Sequence, residues 1–298
     1  MKRKRLLVVL KDKNDINEPI RYEVKSAFLN LKKENIDVVF GSFEELELFL
    51  DPKESKAFLS PKNELKDFDL IYFRNINCSP ELLFHCVMGL YPNLPMLQNV
   101  KTGTRVNKLY QYCRFANQGL LFPRTFFANT PKLEEKIDQI ENFINYPIIV
   151  KDIAGAHGKN IFLAKNRQEL IKFIKLSRKL DLKVVFQEFI PNDWDMRLII
   201  LGDEIKLAVK RQRINKKEWR NNTSLGADRK ILNLDKIDPE WEKLAVKAVN
   251  SIFYTIGGVD IVQNSDNKKL YLLEVNLSPQ FKPGTTEAIM DFIKKKMS

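Results

Sequence analysis

Two apolar runs joined by a polar turn decide the fold of this chain: Gly257-Gly-Val-Asp-Ile-Val262 and Leu270-Tyr-Leu-Leu-Glu-Val-Asn-Leu-Ser-Pro-Gln-Phe281. Each run reads as a β-strand, and the connecting segment Asn264-Ser-Asp-Asn-Lys-Lys269 is a cluster of turn-forming residues, so we predict a β-hairpin. Asp260 lies in the first strand, whereas Glu274 and Asn276 lie two residues apart in the second. Side chains two residues apart leave the same face of a strand, and Asp260 can face the same way.

This hairpin predicts a site for a hard divalent cation. Asp260, Glu274 and Asn276 supply oxygen ligands without any cysteine or histidine, which favours Mg²⁺ or Mn²⁺. Such ions usually keep substrate phosphates among their ligands, so a nucleoside triphosphate is an expected ligand. The alternative is an amphipathic hairpin whose acidic side chains face water. The position of Glu274 inside an otherwise apolar run weighs against that alternative.

Length and composition indicate a soluble globular protein. The chain has 298 residues, 44% hydrophobic and 30% charged, which fits two or three compact units. No apolar stretch approaches the roughly 20 residues of a membrane helix. The basic start at residues 1–5 is followed by an apolar run, residues 6–10, that is shorter than a signal peptide requires. The three cysteines form no metal-binding spacing and indicate a reducing compartment, so we expect a cytoplasmic protein.

The formal net charge of +12 has two interpretations. A positive field would attract anionic ligands such as a nucleotide and an acidic substrate. Alternatively, the excess reflects a lysine-rich surface without a specific partner. The lysines are scattered and no basic block is interleaved with aromatic residues, so nucleic-acid binding is not expected. The chain contains only two histidines, which argues against a histidine-centred catalytic triad and a zinc site.

The first hundred residues are predicted to form an α/β domain. Strand-like runs alternate with helix-like segments, including a short helix at 43–50, and this alternation suggests a parallel, Rossmann-like sheet. The strand-like runs are 6–10, 37–40 and 69–74. The segment 11–15 contains no glycine, so the dinucleotide-binding fingerprint is missing and nicotinamide binding is not expected here.

Two segments further along could bind a nucleotide. Lys151 ends a strand-like run and precedes a loop with Gly155 and Gly158, where backbone amides could approach phosphate and the lysine could supply charge. The alternative is a lysine beside an ordinary glycine turn. Gln187-Glu-Phe-Ile190 ends another strand, where the backbone could bind an adenine edge and Glu188 a ribose hydroxyl. A surface glutamate is the simpler interpretation of Glu188 in isolation.

Charged side chains also interrupt two strands that are predicted to pair around the turn at Gly202-Asp203. Asp195 and Arg197 alternate on one strand, and Arg211 lies near the end of the next. Arginines in such places suit bidentate recognition of phosphate or carboxylate, whereas the alternative is internal ion pairing. The polar stretch 213–229 is the best candidate for an active-site loop, and Arg220-Asn-Asn222 adds hydrogen-bond donors there.

Taken in order, these motifs resemble the ATP-grasp superfamily, and within it the ligases similar to RimK and glutathione synthetase. The resemblance runs from about Thr104 to the C-terminus, and residues 1–103 fit the α/β domain that precedes the ATP-grasp fold. The matching pieces are Asn107-Lys108, Gly119, Phe122-Pro-Arg-Thr125, Ile149-Val-Lys151, Gln187-Glu-Phe-Ile190, Asp195-x-Arg197, Lys210-Arg211-Gln212, Arg220-Asn-Asn222, Gly226, Asp260, Glu274-Val-Asn276 and Ser278-Pro-Gln-Phe281.

The resemblance implies a fold and a reaction. It implies an N-terminal Rossmann-like pre-ATP-grasp domain (1–103), a first lobe with a glycine-loop lid (104–186) and a C-terminal lobe with the metal site (187–298), with ATP between the lobes. In such enzymes ATP phosphorylates a carboxylate, and an amine then attacks the acyl phosphate to give an amide, ADP and phosphate. The substrates would be small molecules or peptides. This chemistry depends on positioning and charge neutralisation more than on a strong base.

The resemblance also implies a role for each site residue. Lys108 and Lys151 would hold the ATP phosphates beside the Gly155–Gly158 loop. The adenosine would be bound by Gln187, Glu188, Phe189, Ile190 and Asp195. Asp260, Glu274 and Asn276 would hold two Mg²⁺ or Mn²⁺ ions. Arg197 and Arg211 would face the γ-phosphate and the acyl phosphate as catalytic groups. Asn222 would face the same groups as a ligand of the cofactor, with Arg220 and Asn221 as further ligands.

Several residues depart from the family pattern. Asp152 follows Lys151 where relatives often have proline, and Asn160 stands where a third glycine is frequent, which implies a stiffer lid. Leu225 and Leu277 occupy places where RimK-type enzymes commonly have arginines, which argues against glutamate as the added amino acid. The sequence therefore leaves both substrates open, as well as the oligomeric state, although such ligases are commonly dimers or tetramers. A second function class is an ATP-binding regulatory module without catalysis.

Overall fold

The computed structural model describes most of the chain from residue 106 onward and parts of the region before it. The described residues are 3–10, 25–42, 45, 47–49, 56–58, 63–73, 87, 90–91, 93–97, 106–129, 132–155, 160–215, 218–221, 226–277, 279 and 283–298. No helix within these ranges is long and apolar enough to cross a membrane.

The N-terminal region contains a four-stranded sheet, in which the strands pair in parallel in the order β2-β1-β5-β6. The strands up to residue 97 are β1 (Lys4–Leu10), β2 (Ile36–Ser42), β3 (Glu47–Phe49), β4 (Lys56–Phe58), β5 (Leu70–Phe73) and β6 (Met96–Leu97). A 3-10 helix, Asn30–Glu34, leads into β2, and a second one, Leu65–Asp67, precedes β5. The strands predicted at 6–10 and 37–40 are present, and the one predicted at 69–74 is present as Leu70–Phe73, with residue 74 outside the described residues. The Rossmann-like character of this domain stays a prediction.

The prediction of a short helix at 43–50 is wrong for the residues of this segment that the structure describes. Glu47–Phe49 is instead β3, which pairs antiparallel with β4. The rings of Phe49 and Phe58 meet edge to face with centroids 5.7 Å apart. Cross-strand contacts of this kind stabilise a sheet pair, and they depend on a partner that a local sequence pattern does not contain.

The second sheet is antiparallel and lies in the part of the chain predicted to form the first lobe. Its strands β7 (Thr125–Phe126), β8 (Ile148–Asp152), β9 (Ile161–Ala164) and β10 (Val184–Glu188) are ordered β7-β10-β8-β9. Helix α1 (Lys108–Asn117) precedes this sheet in the chain but packs on the five-stranded sheet described next. Helices α2 (Ile137–Phe143) and α3 (Arg167–Lys179) pack on the second sheet, with a 3-10 helix at Leu133–Lys136. Ile148 and Val150 of β8 pack with Ile140 of α2 and Ile174 of α3, so one face of the sheet is apolar and the other remains available for a site.

The third sheet has five antiparallel strands in the order β13-β12-β11-β14-β15. The strands are β11 (Trp194–Leu201), β12 (Glu204–Gln212), β13 (Asp228–Leu232), β14 (Ile256–Gln263) and β15 (Leu270–Asn276). The helices are α4 (Pro239–Ser251), α5 (Thr285–Met297) and a 3-10 helix at Leu234–Lys236. The predicted pair of β11 and β12 and the hairpin of β14 and β15 are confirmed.

Two sequence expectations differ from this sheet. The helical pattern of the sequence predicts a helix over 238–256, but α4 ends at Ser251, because Phe253 has a left-handed backbone conformation (φ 62°) and Ile256 already begins β14. The stretch predicted as an active-site loop, 213–229, runs into β13, whose burial does not alternate along the strand. A strand without alternation leaves no period-two signal in the sequence.

Candidate active site

A cleft that encloses about 860 Å³, part of it open solvent, lies between the antiparallel sheet of the first lobe and the five-stranded sheet. Side chains from β8, β10, β11, β12, β14 and β15 contribute to its walls. The cleft is lined by Lys108, Ile149, Lys151, Gly155, Ile161, Gln187, Glu188, Phe189, Ile190, Asn192, Asp195, Arg211, Trp219, Arg220, Asn221, Asp260, Val262, Leu273 and Glu274.

Strand alternation places Lys151 in the cleft. Ile148 and Val150 face the apolar core of the first lobe, so Ile149 and Lys151 face the opposite side and line the cleft. The Lys151 ammonium lies over the ring of Tyr112, 5.0 Å from its centroid. Burial lowers the pKa of Lys151 from 10.5 to about 8, against the attraction of two carboxylates in the same cleft. Lys151 is thus a buried cation without a close ion pair among the described residues.

Helix α1 begins at the floor of the cleft. The side chain of Asn107 caps it by accepting a hydrogen bond from the backbone N–H of Tyr110 at 2.9 Å. Lys108 is therefore the first helical residue and is buried, with its ammonium 3.7 Å from a carboxylate oxygen of Glu274. The same ammonium donates to the carbonyl of Gly155. Lys108 connects the glycine loop of one lobe to the acidic hairpin of the other.

The segment after β10 forms an apolar slot with Trp219 at one end of the cleft. The rings of Phe189 and Trp219 meet edge to face with centroids 6.2 Å apart. Among the described residues, no acceptor contacts the backbone N–H groups of Phe189 and Ile190. The carboxylate of Glu188 accepts from the backbone N–H of Arg124 at 3.2 Å and from its guanidinium at 3.4 Å. Apolar walls with a few open polar groups are typical of sites for a flat heterocycle.

A buried ion-pair network occupies the five-stranded sheet. Arg197 donates to both carboxylate oxygens of Asp260, each at 2.6 Å, and Arg211 contacts Asp260 at 3.1 Å. Arg211 also donates to Asp195 at 2.5 Å. The sheet register brings these side chains together, because Arg197 is the cross-strand partner of Asp260 and Asp195 that of Arg211. The internal ion pairing left open by the sequence is therefore present.

The pKa values of the two carboxyl groups in this network, Asp195 and Asp260, are shifted in opposite directions. Burial raises the pKa of Asp195 to about 6, although Arg211 opposes the shift. Burial also disfavours the charged form of Asp260, but Arg197 and Arg211 outweigh it and hold the pKa of Asp260 below its ordinary value. The difference follows from the contacts, because two guanidinium groups bind Asp260 and only one binds Asp195.

The hairpin juxtaposes the three residues predicted to bind metal. Asp260 and Glu274 are cross-strand partners, and the amide of Asn276 lies 3.4 Å from an oxygen of Asp260. The register shifts directly after this pair, since Asp260 pairs with Glu274 and Ile261 with Leu272. Leu273 is thus an extra residue, a β-bulge, and bulges commonly redirect side chains beside active sites.

The side chains of Asp260, Glu274 and Asn276 are chemically suited to a hard cation. Two carboxylates and an amide offer oxygen ligands alone, as Mg²⁺ prefers. In this structure their charge is compensated by Arg197 and Lys108. No three His, Cys, Asp or Glu side chains cluster at metal-binding distance in the part of the chain that the structure describes, so the metal assignment of the hairpin stays a prediction.

The polar loop closes one end of the cleft. Glu218 accepts from the guanidinium of Arg220 at 2.8 Å and from its backbone N–H at 2.9 Å, and these bonds lower the pKa of Glu218 to about 2. Asn221 is buried, donates to Asn192 at 2.7 Å and accepts from the backbone N–H of Arg213 at 3.2 Å. The amide of Asn221 therefore anchors the loop to the protein.

The structure brings most of the predicted site residues into one cleft. Arg197 and Asn276 do not line it but contact Asp260 at its wall. Gly158 and Asn222 lie outside the described residues. Sequence reasoning missed Trp219 and Tyr112. The signal for Tyr112 was its helical spacing, four residues after Lys108 and hence on the same helix face.

Residues 106–297 match the model of the RimK-like ATP-grasp domain. The chain belongs to the RimK-like ATP-grasp family. The expected family is therefore confirmed, and the neighbours among solved structures support the two-lobed ATP-grasp fold.

Curated relatives of this RimK-like protein are ligases. It is 28% identical over 227 residues to the alpha-aminoadipate–LysW ligase LysX of Sulfurisphaera tokodaii, covering 73% of this chain and 75% of LysX. It is 29% identical over 195 residues to the ribosomal protein bS6–L-glutamate ligase of Escherichia coli O7:K1, covering 65% of this chain and 61% of that enzyme. These names support an ATP-dependent carboxylate–amine ligase.

The fold is also that of a solved ATP-grasp ligase. PsnB, complexed with a phosphomimetic variant of its minimal precursor, Mg and ADP, superimposes with a TM-score of 0.73 at 16% identity, covering 100% of both chains. At this identity the likeness concerns the fold alone.

Proposed function

We propose that this RimK-like protein is an ATP-dependent ligase that joins a carboxylate to an amine through an acyl phosphate. One observation carries the proposal: the cleft between the two sheets places the buried cations Lys108 and Lys151 opposite the carboxylates of Asp260 and Glu274. Buried cations facing acidic groups across one cleft suit a phosphate chain held together with a divalent ion.

ATP would lie between a first lobe, 104–186, and a C-terminal lobe, 187–298. Its adenine would lie against the apolar surface of the slot that Phe189 and Trp219 form, where the backbone N–H of Ile190, which has no acceptor among the described residues, can donate to a ring nitrogen. Glu188 would accept from a ribose hydroxyl. The flat apolar contact and the backbone donor together suit a purine base in this slot.

The phosphates would lie against the two lysines. Lys151 has no competing ion pair among the described residues, so its charge remains available for an anion. Lys108 is the first residue of α1, and the N–H groups of a helix N-terminus add to its attraction for phosphate. The glycine loop would close over the phosphates from Gly155 and Gly158, the latter outside the described residues.

The reaction would begin with attack of a substrate carboxylate oxygen on the γ-phosphorus, with ADP leaving. The amine would then attack the acyl carbon, and phosphate would leave with one former carboxylate oxygen. Arg197 and Arg211 would stabilise the negative charge on the transferred group. Asp260, Glu274 and Asn276 would hold two Mg²⁺ ions, which supply charge neutralisation at the phosphates.

The substrates are proposed only by class. The relatives named above act on alpha-aminoadipate with LysW and on bS6 with glutamate, so a peptide or protein is a natural partner for one of the two reacting groups. Leu277 is buried within the apolar core directly after the metal hairpin. Leu277 does not line the cleft, so its side chain does not select the added amino acid, which is left open.

The proposal is tested by product release. Purified protein with Mg²⁺ and ATP is offered a panel of amino acids and short peptides, singly and in pairs, and ADP and phosphate are measured. At least one pair should release both, and Glu274→Gln should lower that release by about 100-fold or more. Glu240→Gln, an exposed glutamate at the start of α4, is the matched control and should behave as the wild type.

A second function is favoured by one observation. Both oxygens of Asp260 are engaged by Arg197, and such a closed pair suits nucleotide binding without turnover, as in a regulatory module. The release assay separates the two functions. Binding of ADP without phosphate release for any substrate pair would favour the module, and phosphate release that survives Glu274→Gln would contradict the metal assignment.

A further inference from the structure

Helix α1 lies along the outer edge of β15, and one of its side chains forms the hydrogen bonds that a neighbouring strand would form. β15 is the last strand of its sheet, so its outer backbone groups have no strand partner in the described structure. Gln111 donates to the carbonyl of Val275 at 3.0 Å and accepts from the N–H of Val275 at 2.7 Å. This two-way pairing by one side-chain amide copies the pattern of an adjacent strand.

A second side chain of α1 holds the bulge. The hydroxyl of Tyr112 donates to the carbonyl of Leu273, the bulged residue, at 2.8 Å. Burial raises the pKa of Tyr112, so the hydroxyl keeps its proton and remains a donor. A bulge leaves backbone groups unpaired, and a buried carbonyl without a hydrogen bond costs about 1–3 kcal/mol. The hydrogen bond from Tyr112 to the Leu273 carbonyl therefore stabilises the bulged conformation.

The two contacts bracket Glu274. Tyr112 fixes the residue before it and Gln111 fixes the residue after it, while Lys108 of the same helix face contacts its carboxylate at 3.7 Å. The bulge turns both Leu273 and Glu274 toward the cleft, which a regular strand with alternating side chains would not do.

We propose that Gln111 and Tyr112 are positioning residues that hold Glu274 in the orientation needed to bind the divalent ion of the nucleotide complex. This inference rests on the proposed function. It assigns to α1 a role in metal binding beyond the capture of phosphate by Lys108. Groups that orient a metal ligand typically change metal affinity by 10- to 100-fold when removed.

Two substitutions separate positioning from general stability. Tyr112→Phe removes one hydroxyl and keeps the ring, which stacks on Phe122 with centroids 5.5 Å apart and lies under Lys151. Gln111→Met removes both hydrogen bonds at similar volume. Tyr271→Phe is the matched control, because Tyr271 lies on the same strand and its hydroxyl has no hydrogen-bond partner among the described residues.

The readout is Mn²⁺ binding in the presence of saturating ADP, followed by the electron paramagnetic resonance signal of free Mn²⁺, without turnover. Tyr112→Phe and Gln111→Met should each raise the Kd for Mn²⁺ about 10-fold or more. Tyr271→Phe should stay within about 2-fold of the wild type. ADP binding in EDTA, measured by calorimetry, should change by no more than about 2-fold in all three variants.

Three outcomes overturn the inference. Mn²⁺ affinity of both α1 variants equal to that of Tyr271→Phe would show that Glu274 is positioned without them. Equal losses of Mn²⁺ affinity and metal-free ADP affinity would indicate a general structural role. Absence of Mn²⁺-dependent ADP binding in the wild type would overturn the proposed function as well, whereas the first two outcomes leave it standing.

Discussion

Replacing Lys151 by methionine tests whether the cleft holds a buried charge at the expense of stability. The pKa of Lys151 falls from 10.5 to about 8, and each tenfold change in proton affinity is worth about 1.4 kcal/mol. The charged form is therefore disfavoured by about 3 kcal/mol. The cation–π contact with the Tyr112 ring offsets about 1 kcal/mol of this burial penalty. Lys151→Met should therefore stabilise the protein by about 2 kcal/mol at pH 7.

The pH dependence gives the sign of this effect. Below pH 8 both the folded and the unfolded states carry the proton on Lys151, so the wild type bears the full burial penalty. Between pH 8 and 10.5 the folded state releases the proton while the unfolded state keeps it, so wild-type stability rises with pH. The advantage of Lys151→Met should therefore shrink across this window and disappear above it.

Thermal unfolding at pH 7, 9 and 10.5 measures the effect. Lys151→Met should raise Tm by about 4–8 °C at pH 7, and the exposed Lys172→Met, on α3, should leave it nearly unchanged. The same variant should lose ADP affinity by about tenfold or more, because it removes a phosphate-binding charge. A Lys151→Met protein that is less stable than the wild type at pH 7, or equally stabilised at every pH, would refute the reasoning.

Three further changes have defined outcomes. Gly257→Ala should lower Tm by several degrees, because its Cβ would lie 2.8 and 2.9 Å from valine methyls of α4 and β15; an unchanged Tm would mean that α4 shifts freely. Arg211→Met should cost about 3–5 kcal/mol in urea unfolding, because it leaves Asp195 buried and unpaired; a neutral effect would contradict the buried ion pair. Trp219→Ala should weaken ADP binding by calorimetry about 5- to 10-fold with little change in Tm, because it removes the ring facing Phe189; unaltered affinity would exclude Trp219 from the slot.

The sequence predicted the parts of the site that depend on local pattern. The hairpin of Asp260 and Glu274 follows from two apolar runs and a polar turn, and the observed register pairs these two residues. Lys151 could be placed at a strand end beside glycines, and strand alternation then directs it into the cleft. Such features are visible because period-two patterns and turn residues act over short distances in the chain.

Long-range contacts explain what the sequence did not predict. Gln111 and Val275 are 164 residues apart, and their hydrogen bonds depend on how α1 packs on the finished sheet. The bulge at Leu273 has no signature in an apolar run. The arginines were expected to face phosphate, whereas the structure pairs Arg197 with Asp260, because a buried carboxylate requires a partner before any ligand is present.

Transfer of an oxygen atom tests the central claim most directly. Once a substrate pair is found, the carboxylate is labelled with ¹⁸O and the phosphate released during turnover is analysed by mass spectrometry. A reaction through an acyl phosphate moves one labelled oxygen from the carboxylate to each phosphate, and we expect one ¹⁸O per phosphate when both carboxylate oxygens are labelled. The amide keeps the second labelled oxygen in its carbonyl group in either case, so the label in phosphate decides. Release of phosphate without ¹⁸O would contradict the account.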